Sequence, residues 1–482
     1  MKKCQYENLL IWAIMCPLLL FMCSCDSSTN GQSETLSGFV ILVNDSGDTT
    51  MDPVDFSGVL ISVYQLVELD STLVRINQNY PSIGVILSQE TEFNPDISDP
   101  IAVTHAHGDG AFSIKGLAPG RYNLAFSKDQ WGSVYRHDVL VGHNNDGDRL
   151  GSITLYPIHS LTNHSYTSFT FEKDHTYQIP NDVRFSGPIT MEGGASIQLG
   201  YGVKMSLEQT LIKTGSGYVN ISGMSGKHSI DTLLWNSVEI LSSGNIIRDL
   251  LISDSNSGLL LLGAENLVTN TIFRRSNHAT FLSGIGSKIS RSLIIDISNK
   301  ALVLNVTEGQ PDIAYELESC VVMRSNVGIR TEGNSIRIVD NYFINNATAI
   351  VSNKNYHEIQ YNNFEDNERA VVCAGSEITI KYNDFYEGNQ NCISFAYEYY
   401  SAISSPVICQ NNFYPQGGIV IYMFPLTTLD DVDARSNFWS GHDIDSLIWD
   451  NNDFESIHHK VLYMPKLTTP NTSAGIRQPD VA

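Results

Sequence analysis

Cysteine is scarce in the body of this chain. Of eight cysteines in 482 residues, four fall within the first 25 positions, leaving Cys320, Cys373, Cys392 and Cys409. Their spacing fits neither a zinc site nor a disulfide scaffold, so buried core thiols are the expected state. Positive charge is scarce too: 29 Lys and Arg face 52 Asp and Glu, a net charge of −23. Such a surface repels nucleic acid and anionic lipid, and no nucleic-acid partner is expected. No cofactor is implied, although so acidic a chain is compatible with calcium. The 42% of hydrophobic residues excludes a disordered chain and is enough for two or three domains.

The first 25 residues are a separate object. Lys2 and Lys3 give a positive start, and the apolar run from Leu9 to Met22 is too short to span a bilayer comfortably. It reads as an export signal. The run ends at Met22-Cys23-Ser24-Cys25-Asp26, and a small residue directly before a cysteine resembles the lipobox at which bacterial lipoprotein signals are cut. The resemblance implies a lipidated Cys25 as the mature N-terminus, held to the cell envelope through acyl chains, at the outer membrane or the cell surface. Cys23 and an ordinary secretory signal are the alternatives. Removal of residues 1–24 takes Lys2, Lys3 and Glu7 away and leaves a net charge of −24. Residues 26–36 read as a flexible polar tether.

From residue 37 to 157, period-two alternation broken by Gly, Pro, Asn and Asp predicts a β-sandwich. In Asp109-Gly-Ala-Phe-Ser-Ile-Lys-Gly-Leu-Ala-Pro-Gly-Arg-Tyr-Asn-Leu-Ala-Phe, Phe112 and Ile114 alternate, Ala118-Pro119-Gly120 turns, and Tyr122, Leu124 and Phe126 alternate again. The pattern reads as a hairpin. Asp109, Gly110, Phe112, Leu117, Pro119, Gly120 and Tyr122 resemble the carboxypeptidase-regulatory-like, transthyretin-like sandwich. That resemblance implies a spacer or interaction module and no active site. His105, His107 and Asp109, like His143, Asp146 and Asp148, could in principle ligate a metal, but both groups fall where turns are expected.

Repeats decide the larger domain. Ile252, Phe273, Ile294, Val322, Phe343, Phe364, Phe385, Phe413 and Phe438 recur at a spacing of 21 with occasional longer steps. That period is too short for two-helix repeats and fits one turn of a three-stranded coil. The text is rich in Ile, Val, Phe and Asn, with Asn-Tyr-Phe343, Asn-Asn-Phe364, Asn-Asp-Phe385, Asn-Asn-Phe413 and Ser-Asn-Phe438 in register. These residues resemble the right-handed parallel β-helix of pectate-lyase-like and NosD-type proteins. The fold expected is therefore all-β: a sandwich, then a right-handed parallel β-helix over 158–467 and a C-terminal tail over 468–482.

Stacked coils turn equal positions into columns. The apolar column points inward. Asn341, Asn362, Asn383 and Asn411, two positions earlier, predict a ladder of side-chain amides. Two positions later come Asp254, Arg275, Asp296 and Arg324, alternating in charge, followed by Asn345, Asp366 and Glu387. Asp366 beside Glu387 is a like-charge pair, the arrangement a general base or a calcium site needs, and the pair supplies the catalytic candidates. Between Phe385 and Phe413 lie seven extra residues, with Phe395-Ala-Tyr397-Glu-Tyr399-Tyr400 in or beside them. Tyr397, Tyr399 and Tyr400 are candidates for stacking on sugar rings. Another insertion spans Thr307 to Tyr315.

Catalysis is harder to argue. The Asn-Thr-Asp and Arg-Ile-Lys signatures of polygalacturonases are absent, since Ile336-Arg-Ile338 ends in Val339, and Asp430-Asp431 falls outside the regular coils. Gly441-His442-Asp443 stands without partners. The expectation is a non-catalytic exported lipoprotein presenting a polysaccharide-binding surface. The alternative is a polysaccharide lyase or glycoside hydrolase in which Asp366, Glu387 and a base such as Lys381 converge with the tyrosines.

Overall fold

In the computed structural model, residues 34–43, 55–142, 148–224, 234–305, 315–395, 406–424, 431–441 and 443–477 are described. Cys25 and its leader lie outside them.

The N-terminal domain is a sandwich of a three-stranded and a four-stranded sheet. In the first, Glu34–Leu42 lies between Ala111–Leu117 and Asp148–Leu155; in the second the order is Ala102–His105, Leu60–Gln65, Gly120–Ser127, Val134–Val141. The expected hairpin is therefore an arch: Ala111–Leu117 and Gly120–Ser127 belong to opposite sheets. Alternation alone cannot separate the two, but packing does. Phe112 and Phe126 meet edge to face at 5.6 Å across the core, where inward side chains of facing sheets belong. The turn is tied by the Tyr122 hydroxyl, which donates to the Ala118 carbonyl at 2.7 Å.

The rod is a right-handed parallel β-helix of two 13-stranded sheets and one of ten strands, all parallel and stacked coil on coil. The inward column pairs Ile252, Phe273, Ile294, Val322, Phe343, Phe364, Phe385 and Phe413 in sequence. Its last member is Trp439 and not Phe438, because Phe413 pairs with Trp439. The asparagine sets the count: the ladder runs on to Asn437, and two residues past it is Trp439. Each ladder amide donates to the next carbonyl oxygen, from Asn341 to Asn362, Asn383, Asn411 and Asn437, at 3.0 Å. A second ladder, Asn346 to Asn367 to Asn389, lines another corner.

Both corners of the sheet that runs from His159–Ser160 to Phe438–Trp439 turn on single left-handed residues. One column comprises Asp249, Asn270, Arg291, Ser319, Asp340, Tyr361, Tyr382, Gln410 and Ser436; the other comprises Asp254, Arg275, Asp296, Arg324, Asn345 and Asp366. Each costs an L residue about 1 kcal/mol, a cost the parallel ladders on both sides offset. The alternating charges sit in the second column, where Arg275 bonds Asp254 at 3.1 Å and Arg324 bonds Asp296 at 2.7 Å.

The two domains are packed together. Between Leu60–Gln65 and Ala102–His105 the sandwich inserts a helix, α1 (Ser71–Asn79), and a strap. Asp70 caps α1 by accepting from the Thr72 and Leu73 amides. Leu73 and Ile76 then pack with Ile83, Val85 and Leu87 against outward Ile272, Leu293, Ile295, Val321, Met323 and Ile344 of the rod. That sheet is the docking sheet. The segment after Leu467 also returns to it: Ile476 joins the same cluster, and Arg477 holds Asp340 through Nε at 3.0 Å.

Candidate functional site

Two outward columns run along the docking sheet. The first reads Ile272, Leu293, Val321, Tyr342, Asn363, Asp384, Asn412, Phe438. Its neighbour reads Arg274, Ile295, Met323, Ile344, Glu365, with Tyr386 and Tyr414 on the following coils. Arg274 apart, both change from apolar to polar where α1 ends. Beyond that point the surface is partly covered by Tyr80 and by residues 471–477. Asn363 donates to the Tyr80 hydroxyl at 2.9 Å, the Asn471 amide donates to the Asn412 side chain at 2.7 Å, and the Ile476 amide to that of Asn363 at 3.2 Å.

Asp384 lies beneath this cover. It is nine-tenths buried, and two neutral groups donate to it: the Asn412 amide at 2.8 Å and the Tyr386 hydroxyl at 3.3 Å. Burial pushes its carboxyl above the usual carboxylate range, with those two hydrogen bonds pulling the other way. Gly475 passes directly above it; a Cβ there would come within 2.3 Å of Oδ2, so only glycine fits.

Beside Asp384, Tyr386 and Tyr414 stack with ring centroids 5.9 Å apart and planes 11° from parallel, and Phe438 meets Tyr414 at 5.9 Å. All three rings are partly buried. Glu365 closes one end, held by Arg75 of α1 at 2.8 Å and by the Tyr342 hydroxyl.

The expected acids border this platform. Asp366 is exposed, and its carboxyl is pushed up by burial and by Glu365 and Glu387, against the pull of Arg75. Glu387 follows Tyr386 and is exposed, but it does not occupy the column assigned to it. One extra residue in this turn puts Gly388 in the left-handed position, where a Cβ would lie 1.7 Å from Asp366 Oδ1. Lys381 does not join them. It ends a strand of the ten-stranded sheet, beside Cys409 and across the Asp384–Phe385 strand from Glu387. Tyr397, Tyr399 and Tyr400 lie outside the described residues, as do His143, Asp146, Asp430 and His442.

Asp109 accepts from the Ala111 amide at 3.0 Å, a turn contact. Cys320, Cys373 and Cys392 are buried as expected and Cys409 only partly, and burial pushes the Cys320 and Cys373 thiols up to about 12. The ten-stranded sheet carries a charge ladder that sequence reading missed: Lys288, Glu316, Arg337 and Glu358 in one column, with Arg337 on Glu316 at 2.6 Å. Its signal was present, as opposite charges at coil spacing. No family model matches the sequence, and neither the curated proteins nor the solved structures contain a match.

Proposed function

We propose that the chain is an exported, lipid-anchored protein whose rod binds a polysaccharide at the polar end of the docking sheet without cleaving it. The Tyr386–Tyr414–Phe438 platform carries this reading. The outward edges of these stacked rings give apolar contact to the C–H faces of pyranose rings, and successive coils rise about 4.8 Å, so one ring per coil follows an extended glycan along the rod. Asp366 and Glu387 border the platform as acceptors for sugar hydroxyls. The parallel scaffold holds these groups in place before binding, which lowers the ordering cost. The carboxypeptidase-regulatory-like resemblance of the sandwich supports a spacer between a Cys25 anchor and the rod.

A glycan array, followed by calorimetry on the hits, tests the site. Tyr386→Ala with Tyr414→Ala should weaken binding at least about tenfold with the fold intact by circular dichroism; unchanged affinity places the site elsewhere. Cys25→Ser should release the chain from membranes, and retention would remove the anchor from the proposal.

Asp384 supports a second reading, a glycan lyase or hydrolase, because a buried carboxyl with a raised pKa is what a general acid requires. New reducing ends or an unsaturated product from the hit glycan, abolished by Asp384→Asn with binding retained, would favour it.

A further inference from the structure

We infer that the platform accepts neutral or amino-bearing glycans and refuses those carrying carboxylate or sulfate groups. The inference rests on the glycan-binding reading and adds the charge class of the ligand.

The charges along the docking sheet carry it. A site for an anionic sugar needs cations free to meet it, as bidentate arginine does. Here the arginines over the docking sheet are already engaged, and exposed Arg291 sits at its corner several coils from Tyr386. Arg274 bonds Glu92 at 2.8 Å, Arg324 bonds Asp70 and Asp296 at 2.7 Å each, Arg75 bonds Glu365, and Arg477 bonds Asp340 while lying 4.4 Å over the Tyr361 ring. These pairs fasten α1, the strap and the C-terminal segment to the rod, so recruiting one to a ligand would undo the packing that shapes the site.

The groups left at the platform are acidic. Asp384 has neutral donors, and Asp366, Glu368 and Glu387 are exposed around it. Arg369, exposed at the start of the adjoining strand, and Lys466, exposed beside the Leu467 that bridges Phe438, are outnumbered by the exposed Asp366, Glu368 and Glu387. An incoming uronate or sulfate meets a net negative rim, and one like charge at short range lowers affinity by about tenfold or more. Hydroxyls, in contrast, donate to carboxylates at no such cost, and an ammonium group meets the exposed Asp366 and Glu387 with opposite charge.

The test is calorimetry on the full mature chain with two sets of probes at low and high salt. Cellohexaose, mannohexaose and a chitosan hexamer form the first set; hexagalacturonate and a heparin hexasaccharide form the second. The best probe of the first set should bind at least about tenfold more tightly than either acidic one, and added salt should narrow the gap by screening. Asp366→Asn, Glu387→Gln and Asp384→Asn together should reduce that ratio at least threefold. An acidic probe that equals or exceeds the best neutral one overturns the charge rule while leaving glycan binding in place. If no probe binds, the glycan reading falls and the charge rule falls with it. An unchanged ratio in the triple variant assigns the discrimination to other residues and overturns the role given to these three.

Discussion

Arg75 of α1 grips Glu365 of the rod with one guanidinium nitrogen 2.8 and 3.0 Å from the two carboxylate oxygens, although 290 residues separate them. The pair is partly exposed, so it contributes no more than about 1 kcal/mol and serves chiefly to set register. The apolar residues beneath it do more: Leu73 and Ile76 fill the outward face formed by Ile272, Leu293 and Val321. The sandwich's insert and the rod's outer face therefore share a small core of their own, separate from those of the two domains.

Ile76→Ala should destabilise that junction by about 2 to 5 kcal/mol, since Ile76 is fully buried. Hydrogen exchange would show it as faster exchange in 71–92 and along the docking sheet from 272 to 344, with the sandwich core around Phe126 protected. Unchanged exchange at the junction would mean that α1 is held by other contacts.

Phe364→Ala should cost the rod about 3 to 5 kcal/mol. The ring is fully buried and stacks on Phe343 at 5.1 Å and Phe385 at 4.8 Å, so truncation opens a cavity between two rings that cannot close without shifting whole coils. The urea midpoint measures it; a loss below about 1 kcal/mol would show that the stack relaxes around the gap.

The period of 21 made the rod legible, because a parallel coil repeats side-chain positions without regard to what the loops do. The Asn ladder was legible for the same reason and even corrects the apolar column, moving its last position from Phe438 to Trp439. Three features were not. A hairpin and an arch produce the same alternation around Pro119, so only the facing of Phe112 and Phe126 separates them. α1 offers two buried apolar residues, Leu73 and Ile76, too few to show a helical period. A single added residue before Asn389 shifts Glu387 out of its column. The platform had a signal of its own: Tyr386 and Tyr414 each follow an inward Phe and so had to point outward.

Asn362→Ala should be costly for a residue of its size. Its amide donates to the Ile338 and Gln360 carbonyls at 2.9 Å and to Asn383 at 3.0 Å, while its oxygen accepts from the Asn341 amides. Truncation leaves several buried groups without partners at about 1 to 3 kcal/mol each, so thermal unfolding should shift by more than in an exposed substitution such as Asn326→Ala. Equal shifts for the two variants would show that water replaces the ladder.

His357 makes rod stability depend on pH. It is buried in the corner column that Asn245 and Asn266 occupy in earlier coils, accepting the Ile336 amide at Nδ1 at 3.2 Å with Thr331 Oγ1 3.1 Å from Nε2. Burial pushes its pKa down to about 3 from 6.5, so the folded chain keeps it neutral while the unfolded chain takes up a proton. Its contribution is complete above pH 6.5 and is lost as pH falls toward about 3, amounting to about 2 kcal/mol by pH 5. In His357→Asn the side-chain oxygen can accept the Ile336 amide as Asn266 accepts that of Asn245 at 2.9 Å, and no group there titrates. Urea unfolding at pH 7 and pH 5 should therefore show a smaller acid-induced loss in the variant than in the wild type. Parallel losses in the two proteins would assign the acid sensitivity to the carboxylates and not to this histidine.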